Sequence, residues 1–420
     1  MAVAGLFLAL GLVVVAVRLR LNLGHGLVAG CLVLWLLSAS ESSLFLKALG
    51  QGVFETKALT LIVVVGLLIV LARLLELTGH LDGLLSRFEG LVRSPRLSLV
   101  AFPALIGLLP MPGGAVFSAP MVERLANGLD LSPVRKSLIN YWFRHVWEYC
   151  WPLYPSLIMI VYLSGVSMGR LVAVTGLVTL AALFFGHLFI LKGLPRKGRL
   201  SSTPDQAPGS ALLGLSPILI VLAGALGGRS LLGFLQGAIP WIGGIPALAP
   251  MGLALVVALL VVVAASGRPV LLLKATFSAT TLGIVYLVIA VITFQSAAVA
   301  SGAIGQLGQI MTALHLPLLV LVGCLPFLIG LITGYGLAYV ATGFPVFLGL
   351  LPSDGIIPYL LLGHICGFAG VLVSPAHACL GLSNRYFGAA SGGVYAKLWR
   401  PWLLTLAAGW AIGLVLIYFS

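Results

Sequence analysis

Long apolar segments with almost no charge inside them recur along the whole sequence. Twelve lie near 4–17, 25–40, 57–78, 97–122, 137–163, 170–191, 211–227, 231–265, 270–294, 316–350, 356–382 and 401–418. A helix needs about 20 apolar residues to cross a bilayer. Within the bilayer every backbone polar group must find a partner in the chain itself, which favours helices. The pattern predicts an all-α polytopic membrane protein with roughly 10–12 membrane segments. Composition closes the alternatives. Of 420 residues, 60% are hydrophobic and 8% are charged, whereas an ordinary globular domain carries about 25% charged residues. A soluble enzyme, a disordered chain and a nucleic-acid-binding protein are excluded.

The net charge of +13 comes from 23 Lys and Arg against 10 Asp and Glu. In a chain this apolar, the excess reads as the enrichment of Lys and Arg in cytoplasmic loops. The expected partner is therefore the lipid bilayer rather than nucleic acid, and the expected location is the cytoplasmic (inner) membrane. Residues 4–17 have no basic region ahead of them and are followed by Arg18 and Arg20. That predicts a first membrane helix rather than a cleaved signal. Cys31, Cys150, Cys324, Cys366 and Cys379 fall in apolar stretches without metal-type spacing, and read as core hydrophobes.

Residues 192–210 are basic and rich in Pro, Gly and Ser, which predicts a linker near the middle of the chain. A central linker prompts a search for repeats. Pro103–Leu108 (PALIGL) matches Pro326–Leu331 (PFLIGL) at a separation of 223 positions. The same separation pairs Thr78-Gly79 with Ser301-Gly302, and Pro152 with Pro375. Basic clusters fall at 18–20, 87–96, 124–136, 192–199, 268–274 and 385–400. With these in the cytoplasm, the helix at 57–78 runs inward and its partner at 270–294 runs outward. The halves are thus expected to be inverted repeats, a design of secondary transporters. The expected organisation is N-terminal helices over 1–56, a first repeat over 57–191, a cytoplasmic linker over 192–210, connecting helices over 211–269, a second repeat over 270–400 and a C-terminal helix over 401–420. Residues 228–246 fit either an interfacial helix or part of a span.

Two segments read as re-entrant hairpins. Residues 97–122 have basic residues on both sides and a centre, Pro110–Gly114, that cannot continue a helix. Residues 316–350 break at Thr333–Gly336 and again at Thr342–Pro345. Irregular backbone at membrane depth is tolerated where it is buried in protein or lines a wet cavity. At the first tip, Pro112, Gly113, Gly114 and Ser118 suit an anion, through free amides, a helix N-terminus and a hydroxyl. Close packing of small residues would suit them as well.

The helix after each hairpin is also interrupted, at Trp151–Ser156 and at Ser374–Cys379. Each proline frees a carbonyl one turn earlier. Such carbonyls beside hydroxyls suit Na+ coordination or a proton-exchanging site. Thr333, Gly334, Thr342, Ser374 and His377 are the second-half candidates for binding. Tyr154 lies over His377 at the 223 separation. Two readings fit His377: a proton carrier, since its ordinary pKa is near physiological pH, or a neutral histidine bonded to a carbonyl. His364 is open to the same two readings. Arg144, His145 and Glu148 bring charge into the membrane, where such groups lean functional. Arg144 and Glu148 share a helix face. They are expected to pair and position the Trp151–Pro155 break; holding a substrate carboxylate is the other reading of Arg144.

The words LPMPGGAVFSAPMV (109–122), FRHVWEYCWPLYP (143–155) and GFAGVLVSPAHACLGLS (367–383) resemble a family of bacterial and archaeal integral membrane proteins of unknown function. That family is grouped with the ion-transporter superfamily, beside gluconate permeases, citrate and dicarboxylate carriers and sodium/proton antiporters. The resemblance covers most of the chain. It implies two inverted repeats, each with a re-entrant hairpin and a broken helix, around a central site. It also implies, by analogy, a homodimer. The Ser-Asn-Thr sodium signature of the dicarboxylate carriers is absent from both tips.

The function expected from the whole is secondary active transport of a small organic anion, a carboxylate, coupled to H+ or Na+, with no cofactor. Three other readings stay open: a cation/proton antiporter using Glu148, His145 and His377; a membrane enzyme acting on a lipid-linked substrate with His377 and Glu148 as acid and base; and a non-transporting scaffold. With no P-loop, no HExxH and no cysteine cluster, the expectation is a non-enzyme.

Overall fold

The structure is a computed structural model that describes residues 2–19, 21–38, 42–80, 83–84, 94–111, 113–127, 129–194, 209–237, 239, 243–351 and 355–419. Arg20, Pro112, the basic stretch 87–93 and residues 195–208 of the expected linker lie outside them.

The described residues are almost entirely α-helical. The chain begins with α1 (Ala2–Arg18), α2 (Leu23–Leu37) and α3 (Ser42–Phe54). The first repeat follows as α4 (Thr56–Leu77), α5 (Pro95–Gly107), α6 (Ala115–Ala126), α7 (Pro133–His145), a 3-10 turn (Val146–Tyr149), α8 (Pro155–Ser164) and α9 (Met168–Phe189). Three helices connect: α10 (Gly209–Gln236), α11 (Ala249–Ser266) and α12 (Val270–Thr276). The second repeat is α13 (Ala279–Ala300), α14 (Ala303–Ala313), α15 (Leu318–Thr333), α16 (Gly336–Leu348), α17 (Ile356–Val373), α18 (Ala378–Phe387) and α19 (Ser391–Phe419). Residues 228–236 continue α10 rather than forming a separate element.

The 223-residue separation holds helix by helix. Helices starting at 56, 95, 133, 155 and 168 recur with starts at 279, 318, 356, 378 and 391. Two left-handed glycines recur with them: Gly79 and Gly302 (φ 69° and 72°), and Gly165 and Gly388 (φ 70° and 62°). A close approach recurs too. A Cβ on Gly107 would run into the carbonyl of Arg144, and one on Gly330 into the carbonyl of Gly367. Both pairs are related by the same separation, so each hairpin arm lies backbone to backbone against its broken helix.

Contacts across the repeats give their relative direction. Going along α7, Ser137 bonds Asn384 (2.6 Å), Asn140 bonds Ser383 (2.9 Å) and His145 meets His377 (3.0 Å). Beyond the turn, the Tyr149 carbonyl meets His364 Nε2 at 3.0 Å. Rising numbers in one broken helix thus meet falling numbers in the other. The broken helices run antiparallel with their interruptions side by side, as an inverted repeat requires.

Among the described residues, seven helical segments are long and apolar enough to cross a membrane, and six shorter apolar helices accompany them. The windows in Thr56–Leu77 and Ile356–Phe387 are 67% and 78% buried, against 17% for Gly214–Gln236 and for Ser391–Phe419. The first two helices are therefore central, and the latter two present apolar flanks outward. Exposed Leu180 and Phe184 on α9 and Leu253 and Leu260 on α11 do the same. Apolar exposure on this scale marks a surface that meets lipid.

One expected interruption is not there. Thr342–Pro345 lies inside the continuous helix α16. Pro345 removes one backbone hydrogen bond. The helix continues because the turns on both sides of Pro345 are fully buried by surrounding helices; the Thr342 hydroxyl bonds within the helix, to the Ala338 carbonyl at 2.8 Å.

Candidate functional site

Both hairpins open where their arms meet, over 108–114 in the first and at Gly334-Tyr335 in the second. Both following helices are interrupted beside those openings. Pro155 starts α8 at a position where a missing amide hydrogen costs nothing. Tyr154 and His377 are the equivalent residues capping α8 and α18, each with extended backbone (φ −77° and −70°). Each side chain bonds a carbonyl at the end of its own repeat's first hairpin arm. Tyr154 Oη donates to the Gly107 carbonyl at 2.5 Å, and His377 Nδ1 bonds the Gly334 carbonyl at 2.7 Å. Trp151 Nε1 adds a bond to the Leu108 carbonyl at 2.8 Å. The first break thus docks on its hairpin through two aromatic side chains, and the second through a histidine.

The four interruptions surround one cavity of about 140 Å³. Pro110, Met111 and Gly113 of the first tip line it, with Gly334, Tyr335, Gly336 and Leu337 of the second. The broken helices supply Arg144, Glu148, Tyr154, Pro155 and Ser156, and His377, Ala378 and Cys379. Ile69 of α4 and Ile284 of α13 close it with apolar walls. Gly113 stands in the left-handed region (φ 73°), which a side chain there would resist.

Arg144 is the dominant charge. It is 2% exposed. Its Nη2 donates to the Met111 carbonyl at 2.7 Å, and its Nη1 to His145 Nε2 at 3.1 Å. Its Nε has no hydrogen-bond partner among the described residues. The expected pairing with Glu148 is loose, because the helix ends at His145 and tightens into the 3-10 turn. Nη1 lies 3.9 Å from Glu148 Oε1, beyond hydrogen-bond reach, and His145 Nε2 lies 3.7 Å from the same oxygen. Arg144 therefore anchors the hairpin tip more directly than it pairs with Glu148. Gly114 makes this possible: a Cβ there would lie 2.6 Å from Arg144 Nη2. Its missing side chain is occupied by the guanidinium rather than by open cavity.

His145 and His377 form a direct inter-repeat pair, Nε2 to Nε2 at 3.0 Å. The His145 Nδ1 atom is held by the Tyr141 carbonyl at 2.6 Å. Cys379 Sγ joins them, all three donor atoms lying within 4.8 Å of one another. Such a trio is a metal-type donor set. The two Nε2 atoms lie 3.0 Å apart, closer than the separation of about 3.3 Å kept by two nitrogens each about 2.0–2.1 Å from a tetrahedral metal. The spacing fits a hydrogen bond better than a metal centre.

The other expected site residues are elsewhere. Pro112 is outside the described residues. Ser118 is fully buried and donates to Asn140 Oδ1 at 2.6 Å, away from the cavity wall. Thr333 Oγ1 bonds the Ile329 carbonyl at 2.7 Å and faces a neighbouring cavity. Thr342 bonds within α16. Ser374 caps the break, its Oγ accepting from the Ala376 amide at 3.1 Å. His364 is enclosed between Tyr339 Oη (2.8 Å) and the Tyr149 carbonyl (3.0 Å). Of the expected residues, Gly113, Arg144, Glu148, Tyr154, Gly334 and His377 meet at one place, with His145 directly behind His377.

Cys379, read from the sequence as a core hydrophobe, lines the cavity, and Asn140, Ser383 and Asn384 are the residues that sequence reasoning passed over. The His377-x-Cys379 spacing at a helix start was a usable signal for the first. Nothing local marked the other three, because each takes a partner from the opposite repeat.

The fold and this site define a multi-pass α-helical membrane protein with inverted repeats and interrupted helices. The chain belongs to the family described as protein of unknown function (DUF401), whose model matches residues 2–416. Its fold is similar to that of the Alcanivorax borkumensis YdaH transporter, described as having an unusual topology. The two are 18% identical, with a TM-score of 0.60, covering 91% of this chain and 90% of that one. No curated protein matches the sequence.

Proposed function

We propose that this protein is a secondary active transporter of a small organic anion, a carboxylate, coupled to H+ or Na+. The observation that carries the reading is Arg144: a buried guanidinium on the wall of the central cavity, loosely paired and with Nε unsatisfied. A buried charged donor without a partner calls for one. A carboxylate matches the planar fork of a guanidinium. The cavity of about 140 Å³ is compact, which favours a small anion over a lipid or peptide. Antiparallel broken helices around it supply the geometry for alternating access. The fold shared with a solved transporter supports the same class. We place the protein in the cytoplasmic (inner) membrane and in the ion-transporter superfamily, on its basic loops and the motifs at 109–122 and 143–155. A homodimer is the assembly that this kinship suggests.

A cation/proton antiporter is the second reading. It is favoured by Glu148, which lines the cavity and, among the described residues, has no ion-pair partner closer than 3.7 Å. Uptake of radiolabelled mono- and dicarboxylates into proteoliposomes separates the two. The expected result is saturable uptake of at least one carboxylate, abolished by Arg144→Gln and by Gly113→Val without loss of folded protein. Sodium-driven collapse of a pH gradient with no carboxylate uptake would transfer the conclusion to the antiporter.

A further inference from the structure

The contact between His145 and His377 has a chemical requirement that two neutral histidines do not meet. His145 Nδ1 lies 2.6 Å from the Tyr141 carbonyl, and His377 Nδ1 lies 2.7 Å from the Gly334 carbonyl. A carbonyl only accepts, so each Nδ1 carries a hydrogen. A neutral imidazole has one N–H. Were both rings neutral, two bare Nε2 lone pairs would face each other at 3.0 Å. Such a contact is stable only with something electropositive between the nitrogens.

We propose that His145 and His377 share one proton between their Nε2 atoms, and that this is the coupling-ion site of the transporter. The coupling role rests on the transport reading above; the shared proton does not. Arg144 Nη1 already donates to His145 Nε2 at 3.1 Å, so that nitrogen is the acceptor and His377 is the protonated partner.

Location supports the assignment. His377 lines the central cavity and also a larger vestibule of about 1220 Å³, whose walls include Arg18, Thr333, Asn384 and Arg385. His377 is therefore shared by the walls of the two spaces. The groups facing the pair come from three sides. Arg144, Glu148 and Tyr141 belong to the first broken helix, Cys379 to α18, and Tyr335 to the second hairpin opening. Together, Arg144 and a protonated pair outnumber Glu148 by one positive charge, which favours a monoanion in the cavity. Losing the proton removes that excess and leaves the lone pairs opposed across the repeat interface. Proton and anion thus favour each other's binding, and by linkage the effect is reciprocal.

The test is ¹⁵N-histidine NMR of the full chain in nanodiscs, run as wild type and as His145→Gln, His377→Gln and Cys379→Ala. The expected result at neutral pH is a strongly downfield N–H···N proton coupled to two imidazole nitrogens. It should be lost in both histidine variants, retained in Cys379→Ala, and lost from the wild type as pH is raised. The wild-type titration decides the matter even if a variant fails to fold. Two uncoupled rings with bare Nε2 atoms would overturn the proposal. So would loss of the signal in Cys379→Ala, which would mean a thiolate–imidazolium pair. So would nitrogen shifts that appear only on adding zinc chloride, which would mean a metal site. Carboxylate uptake in proteoliposomes under a pH gradient alone, and then a sodium gradient alone, reads the coupling. Uptake driven by sodium and indifferent to pH would overturn the coupling role. The NMR signal without any carboxylate uptake would sink the transport reading and leave the proton site standing.

Discussion

Two seams join the repeats, built from equivalent helices, and they differ in chemistry. At one, α6 and α7 meet α18 through hydroxyls and amides. Asn140 accepts from Ser118 and donates to the Ala115 carbonyl (3.0 Å) and to Ser383, while Ser137 bonds Asn384. At the other, α16 lies against α8 of the first repeat and, within its own repeat, packs Tyr339, Phe344 and Phe347, all fully buried, on α17. The positions 223 residues from Ser118, Ser137, Asn140, Ser383 and Asn384 are Ala341, Leu360, Gly363, Ile160 and Val161. The backbone frame was duplicated; the solvation of its two joints was not. Water can replace the partners in a polar seam at small net cost, because net hydrogen-bond energies are only about 1 kcal/mol. Opening an aromatic seam exposes surface at about 25 cal/mol per Å². The polar seam, which reaches the Arg385 vestibule through Asn384, is the joint that can part more cheaply.

The largest effects should fall on what the halves share. Gly107→Val and Gly330→Val each drive a side chain into a backbone carbonyl that cannot rotate away. Each is expected to destabilise by about 3 kcal/mol, read as a lower melting temperature in detergent. Unequal losses would show that one hairpin tolerates separation from its broken helix. Next come the seams themselves. Asn140→Leu strands Ser118, Ser383 and the Ala115 carbonyl, and should cost about 2 kcal/mol. Gly363→Ala, the equivalent position, meets Phe347 at 2.9 Å and Phe344 at 3.3 Å. Rings can shift, so about 1 kcal/mol is expected. The reverse order in urea unfolding would break the comparison. Tyr154→Phe removes the bond to the Gly107 carbonyl and should cost about 1 kcal/mol, with faster hydrogen exchange at the hairpin tip as the specific readout. The smallest effect is expected for Thr342→Val, whose hydroxyl bonds only within its own helix. A change of about 0.5 kcal/mol in melting experiments would confirm that α16 is unbroken there.

Much of the frame was legible because membrane helices announce themselves locally. Apolar length marks a span, Pro110–Gly114 marks an opening, and a recurrent PxLIGL word marks the duplication. Thr342–Pro345 misled because a proline weakens a helix without ending it when the surrounding turns are packed. Site chemistry was legible only in part. Arg144, Glu148, Tyr154 and His377 stood out as polar groups at interruptions in apolar helices, which is a one-dimensional signal. Ser118 carried the same signal and turned out to belong to a seam.

Membrane residence, duplication of a helical unit and all but one of the helix breaks follow from the amino-acid sequence alone. Hydropathy and backbone stereochemistry act over a few neighbouring residues, so they can be read along the chain. Which polar residues meet is set by the packing of one repeat on the other. His145 and His377 are 232 positions apart and touch because antiparallel repeats bring their interruptions together. Arg144 faces the cavity rather than Glu148 alone because the first hairpin tip, 33 residues earlier, takes one arm of its guanidinium. Those pairings depend on how one repeat is inverted against the other, and no local preference encodes that.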